Sequence, residues 1–238
     1  MAIANQIVKD DRVPTGIVGL DRLTEGGFEK GSAVLVAAGG GSGKSILATQ
    51  FLAEGIKHSE TGIYISFEEN KDRFYKHMLV FGWDLKAFEE QGRFIFLKYS
   101  PERIAKIVKE KSKEIENSIK EVEAKRIVID SLSAYTALFD TEAEKRRMLV
   151  ALFDMIKEWE CTTVVVAEED QHPDQHHSSV MGFMADAIIL LYNEREPRGL
   201  RYRAIEVFKM RGTKHDSKIC SMKITDHGIE VYPDTVVL

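Results

Sequence analysis

Ala38-Gly39-Gly40-Gly41-Ser42-Gly43-Lys44-Ser45 follows the apolar run Ala33–Ala37 and precedes Ile46-Leu47-Ala48-Thr49-Gln50-Phe51-Leu52. The order is strand, glycine loop, helix, the context in which a phosphate-loop pattern marks a nucleotide site. Glycines let backbone N–H groups converge on an anion, and the helix N-terminus adds the positive end of its dipole. Gly40, Gly41, Ser42, Gly43, Lys44, Ser45 and Ile46 are therefore the candidate phosphate-binding positions. Lys44 brings a point charge to the β- and γ-phosphates, and the Ser45 hydroxyl suits Mg²⁺. The usual first glycine of the pattern is Ala38, tolerable at a strand end with φ < 0.

Outward from this loop, apolar runs alternate with helical patterns. Strands are expected at Ala33–Ala37, Gly62–Phe67, Arg93–Leu97, Arg126–Asp130 and Thr162–Ala167, with helices at Lys44–Lys57, Lys71–Phe81, Glu102–Glu123 and Thr141–Glu160. Continuous apolar strands alternating with helices predict a mostly parallel sheet covered on both faces. In the third helix Ile104, Ile107, Lys111, Ile115, Ile119 and Val122 recur at three- and four-residue steps. After Asp186 the pattern becomes Ala187–Tyr192, Tyr202–Met210, Lys218–Ile224 and Gly228–Tyr232, expected as an antiparallel meander closing the sheet. The fold class is α/β: a single domain over 14–238 behind a loosely held polar arm at 1–13.

The chain has 238 residues, 44% hydrophobic and 30% charged, enough to bury a core without staples. Cys161 and Cys220 lie in or beside apolar runs, as reduced buried thiols would, which points to the cytoplasm. No signal-peptide form and no apolar run of ~18 residues is present, so no membrane span is expected. A net charge of −5 argues against coating nucleic acid by bulk electrostatics.

Arg126-Ile127-Val128-Ile129-Asp130 is an apolar strand ending in an acid, the place from which phosphate-loop enzymes hold Mg²⁺. Gly62–Phe67 ends in Glu68-Glu69, on the carboxyl side of the strand, where ligands bind in such sheets. Either carboxylate could act as general base toward water; Glu68 is favoured, and Glu69 with Asn70 could instead cap the next helix. Ser45, Glu68 and Asp130 are the metal-side candidates.

With these pieces together the chain resembles the RecA-superfamily ATPases, and more closely their KaiC-like branch, over about residues 14–233. The carriers are Thr15-Gly16-Ile17-Val18-Gly19-Leu20-Asp21, Gly26-Gly27-Phe28-Glu29-Lys30-Gly31, the phosphate loop, and Ser66-Phe67-Glu68-Glu69. Phe81-Gly82-Trp83-Asp84, Ile129-Asp130-Ser131-Leu132-Ser133-Ala134, Phe208-Lys209-Met210-Arg211-Gly212-Thr213-Lys214-His215 and Ile224-Thr225-Asp226-His227-Gly228-Ile229 complete the set. The Lys-Met-Arg-Gly-Thr block, at its distance from the loop, is more specific than the loop itself.

The resemblance implies a RecA-like phosphate-loop fold, ATP and Mg²⁺ as ligands, and a homo-oligomer, a hexameric ring with nucleotide between subunits. It implies that Lys209 and Arg211 reach the γ-phosphate bound by the next subunit, and that Met210 lies with them. Thr213, His215, Thr225 and Asp226 match base and sugar contacts, Phe81 an aromatic that stacks on adenine, and Arg203 another contact from the neighbour. The family's autophosphorylated Ser-Thr pair is matched by Gly182 and Phe183, which have no hydroxyl, although Ser178 and Ser179 are close by. A circadian role is not carried over.

Two other readings stand beside the ATPase ring. One is an accessory protein that binds a recombinase or single-stranded DNA; the other is a slow ATP-dependent signalling switch with a protein partner. The stretch 168–177 holds His172 and His176 at zinc-helix spacing, but Pro173 argues for a loop, and no Lys or Arg occurs from Glu168 to Asp186. Lys145-Arg146-Arg147 reads as a solvated helix face or a basic patch.

Overall fold

A computed structural model describes residues 11–169, 180–195 and 199–237. Residues 1–10 of the expected arm, the stretch from Asp170 through the histidines to Ser179, and 196–198 lie outside the described residues.

β1 (Arg12–Val13) and β2 (Phe28–Glu29) form a small antiparallel pair. The last two residues of the expected arm are thus paired. Between them runs α1 (Val18–Leu23). Among the described residues the main sheet has nine strands: β3 (Ala33–Ala38), β4 (Gly62–Ser66), β5 (Phe94–Lys98), β6 (Arg126–Asp130), β7 (Thr162–Glu168), β8 (Ala187–Arg195), β9 (Arg201–Met210), β10 (Ile219–Thr225) and β11 (Gly228–Val236). Their spatial order is β11-β10-β9-β8-β3-β7-β6-β4-β5. β8, β3, β7, β6, β4 and β5 run parallel, and β8 to β11 form the antiparallel meander, as the patterns predict.

The parallel strands are covered on both faces. In β3, Val34, Val36 and Ala38 enter one core with α2 (Lys44–Lys57), α3 (Lys71–Leu79) and α4 (Leu85–Glu90). Ala33, Leu35 and Ala37 enter the other with α5 (Pro101–Glu110), α6 (Glu114–Glu121), α7 (Leu132–Thr136) and α8 (Glu142–Glu158). This two-residue alternation is the strand period in a sheet with no wet face. A short α9 (Val180–Met184) leads into β8. Cys161 and Cys220 are free and buried, and burial pushes the Cys161 thiol up to about 11. Among the described residues no helix is long and apolar enough to cross a membrane.

The helix expected over Glu102–Glu123 is corrected. It is two helices, α5 and α6, separated at Lys111, which takes φ 50° while Ser112 N donates to Ile107 O at 3.0 Å. Lys111 occupies a core-facing position of the stripe. A helix continued through it would draw its ammonium toward buried Ile107 and Ile115, whereas the break leaves it exposed.

α1 lies against β11 so closely that a Cβ at Gly19 would fall 2.0 Å from Val231 O. Gly19→Ala is expected to lower stability by about 1–3 kcal/mol, since the backbone itself must move. Thermal unfolding monitored by circular dichroism checks this; an unchanged midpoint would contradict the contact.

Candidate functional site

The phosphate loop connects the carboxyl end of β3 to α2. Gly41 (φ 71°) and Gly43 (φ 106°) adopt left-handed conformations that other residues resist. Gly43 is the N-cap and, being glycine, has no side chain to cap the first-turn amides of α2. The Ser42 hydroxyl donates to Gly39 O at 2.9 Å. Lys44 Nζ donates to Ala38 O and Gly39 O, both at 2.8 Å, which folds its ammonium over the loop.

Beside the loop, Ser45 Oγ donates to Asp130 Oδ2 at 2.7 Å, and Tyr64 OH donates to the same oxygen at 2.5 Å. Strand register brings this about: Asp130 ends β6 opposite Ser66 on β4. Burial first, and then the Asp130 charge, push the Tyr64 phenol well above its usual range, so it stays an O–H donor. A hydroxyl and a carboxylate at one point are the hard oxygen donors that fit Mg²⁺. Tyr64 carries no motif; only the placement of β4 beside β6 reveals it.

Glu68 is exposed where the chain leaves β4, and its backbone carbonyl accepts from Lys98 Nζ at 3.4 Å. The Glu69 carboxylate turns toward α3, 3.8 Å from His77 Nδ1 and 4.0 Å from Arg73 Nε. The cap of α3 is Asn70, whose side chain accepts from Asp72 N and Arg73 N. Of the two residues that could cap this helix, Asn70 does so.

The meander reaches the same loop. Asn193 Nδ2 donates to Gly40 O at 3.4 Å, and Arg203 donates from Nε and Nη2 to Gly41 O at 3.3 Å each. Arg203 therefore lies on the loop of its own chain, where the resemblance implies a contact from a neighbour. The β10–β11 hairpin packs alongside: a Cβ at Gly43 would meet Ile224 Cδ1 at 3.2 Å. Thr225 and Asp226 form its tip, where Thr225 Oγ1 donates to Gly228 O at 3.1 Å. Gln50 of α2 clamps the hairpin: it accepts from Ile229 N at 2.7 Å and donates to Gly16 O at 2.8 Å. Trp83 lies against Gly228, and its ring centroid is 5.3 Å from that of Phe81. Phe81, Thr225 and Asp226 are thus gathered at the loop end of the sheet.

Lys209, Met210, Arg211, Thr213 and His215 are not. Parallel pairing sets Val34 opposite Ala187, and antiparallel pairing sets Ala187 opposite Met210 and Ile188 opposite Lys209. The Lys-Met-Arg block therefore lies where β3 begins, while the phosphate loop lies where it ends. Ala33 and Ala38 are separated by about 17 Å at the usual rise. At that far end Lys209 Nζ donates to Gly182 O at 3.0 Å and Ala185 O at 2.8 Å. Arg211 donates to Asp186 Oδ1 and Phe183 O, both at 3.1 Å. Thr213 Oγ1 accepts from Arg12 Nη2 at 2.7 Å, and His215 Nδ1 lies 3.2 Å from Asp216 O.

A family model described as "ATPase: KaiC" matches residues 13–236. The chain belongs to the KaiC family of ATPases. It is 33% identical to a UPF0273 protein of Pyrococcus horikoshii over 95% of this chain and 96% of that one. It is also 33% identical to circadian clock protein KaiC3 of Synechocystis, over 86% of this chain but 42% of the clock protein. The crystal structure of a KaiC-like protein from Pyrococcus horikoshii superposes with a TM-score of 0.81 at 30% identity, covering 93% of this chain and 99% of that one. The KaiC-family likeness thus extends over nearly the whole length of the archaeal proteins, and over less than half of the clock protein.

Proposed function

We propose that this KaiC-family chain binds ATP with Mg²⁺ and hydrolyses it in a head-to-tail assembly of identical copies, a hexameric ring by resemblance. Lys44 and the α2 amides hold the phosphates, and Ser45 and Asp130 hold the metal, which would neutralise charge on the phosphates when bound. Glu68 orients or deprotonates the attacking water and belongs to the metal's water shell, with Glu69 behind it. Arg203 and Asn193 brace the loop from the same chain. Thr213, His215, Thr225, Asp226 and Phe81 are the proposed base and sugar contacts.

One observation carries this reading: Lys209 and Arg211 lie at the opposite end of β3 from the phosphate loop of their own chain. Cations placed there serve a γ-phosphate only when it belongs to another copy. One surface end joined to a different one is a heterologous contact, and such contacts close into rings when the rotation permits.

Size-exclusion chromatography with light scattering, with and without Mg-ATP, tests the reading. The expected result is a mass about six times that of the chain when Mg-ATP is present. A monomer under every condition would leave Lys209 and Arg211 without a target and end the proposal.

A further inference from the structure

We propose that Asp186 is a positioning residue for hydrolysis: its carboxylate sets the Arg211 guanidinium, and the carbonyls of Gly182 within α9 and of Ala185 just after it set Lys209, so both cations are aimed before a neighbour's nucleotide arrives. This rests on the reading that the two cations act on the next copy.

Asp186 joins α9 to β8 and is committed on every side. Its N donates to Ala33 O at 2.8 Å, and its O accepts from Arg211 N at 2.9 Å. Its carboxylate is divided: Oδ2 accepts from Ala33 N at 3.0 Å, and Oδ1 accepts from Arg211 Nη1 at 3.1 Å. One residue therefore ties the start of β3 to the end of β9 and fixes the side chain that follows. The Asp186 side chain is 22% exposed and that of Arg211 is 52% exposed. The anchor is thus sheltered while the cation faces outward. Of the five guanidinium N–H groups, two are held by Asp186 and Phe183, and among the described residues the other three remain for phosphate oxygens. Lys209 is treated alike: two of its three N–H groups go to Gly182 O and Ala185 O.

β9 helps to aim Lys209. Its register with β8 shifts so that Ile188 faces Lys209 but Ile189 faces Val207, leaving Phe208 as an extra residue. Val207 and Met210 both enter the core that holds α2. A regular strand would put Lys209 on the same face as Val207; the bulge turns it to the face where α9 lies. Burial first, and then Arg211, lower the Lys209 pKa, with Asp186 working against them. Two long cationic side chains left loose would lose rotamer freedom whenever they met a phosphate, whereas held ones need no reorganisation at the reacting moment.

Asp186→Asn in the full chain keeps the shape and removes the charge facing Arg211. The expected result is a fall in kcat of at least ~10-fold, the cost of a misplaced group. KM for ATP stays within about threefold, as for an interaction made only in the transition state. The decisive measurement mixes this variant with Lys44→Ala, which carries an intact Asp186 and Arg211. Equal amounts are combined under Mg-ATP where light scattering shows a common assembly. Turnover should recover to about a quarter of wild type per chain, the share of sites where a loading-competent copy meets an intact neighbour by chance. Arg211→Ala mixed with Lys44→Ala is run in parallel. If that mixture recovers but the Asp186→Asn mixture does not, the damage lies within the variant's own site and the positioning role is overturned. Wild-type kcat in Asp186→Asn alone also overturns it. If Arg211→Ala itself turns over normally, the reading beneath it falls instead.

Discussion

Arg211→Ala is expected to lower ATP turnover by ~10³-fold or more while leaving ATP binding within a few-fold of wild type. The magnitude follows from the role proposed for the side chain. The transferring phosphoryl group carries charge on its equatorial oxygens, and a cation delivered there stabilises the transition state far more than the bound ground state. Arg211 is suited to this because its guanidinium is half exposed and held on one edge by Asp186 Oδ1 and Phe183 O. Affinity should change little because, on the proposed reading, the phosphates are held mainly by the loop of the other copy. Steady-state phosphate release, together with calorimetric titration of a non-hydrolysable ATP analogue, separates the two effects. Normal phosphate release from the variant would remove Arg211 from the mechanism. Because Arg211 also ties to Asp186, unfolding midpoints of both proteins should be compared first.

Lys44→Ala is expected to weaken ATP binding by at least ~100-fold, as losing one partner of a desolvated charge pair does. Lys44 Nζ already bonds two carbonyls at the root of the loop, Ala38 O and Gly39 O, at 2.8 Å. Without it two carbonyl dipoles and a polyphosphate share one concave site with no side-chain cation from α2's first residue. Helix formation should not suffer, since alanine is the better helix former at that position. Calorimetric titration with Mg-ATP reads the loss directly, and near-wild-type affinity would detach the loop from nucleotide binding.

Much of this arrangement is legible in the order of residue types. The glycine loop between an apolar strand and an amphipathic helix, the acid closing Arg126–Asp130, and the change of pattern after Asp186 all rest on local periodicity. Strand ends fall within a few residues of expectation because apolar runs stop where burial stops. What local pattern does not carry is strand order. Tyr64 meets Asp130 only because β4 lies next to β6, although the two are 66 positions apart in the chain. Asn193 and Arg203 reach the phosphate loop only because β8 is inserted beside β3. Asp186 looks like a turn residue until β3 and β9 are both in place. The missed break at Lys111 has another cause: spacing alone counts a lysine as part of a stripe, although its charge cannot remain on a buried face.

If Lys209 and Arg211 act on the next copy's nucleotide, as proposed, the separation of the two ends of β3 has an arithmetic consequence. A dimer would pair one loop with one set of cations and leave the other loop and the other set idle, so half of its sites could work. Each added copy completes one more site, yet an open row always has one incomplete site at its end. Only closure removes that deficit, because then every copy is both giver and receiver. Output per chain would therefore rise with assembly size and reach its ceiling at the moment the row becomes a circle. On the proposed reading, the geometry of a single strand would tie catalysis to the number of neighbours.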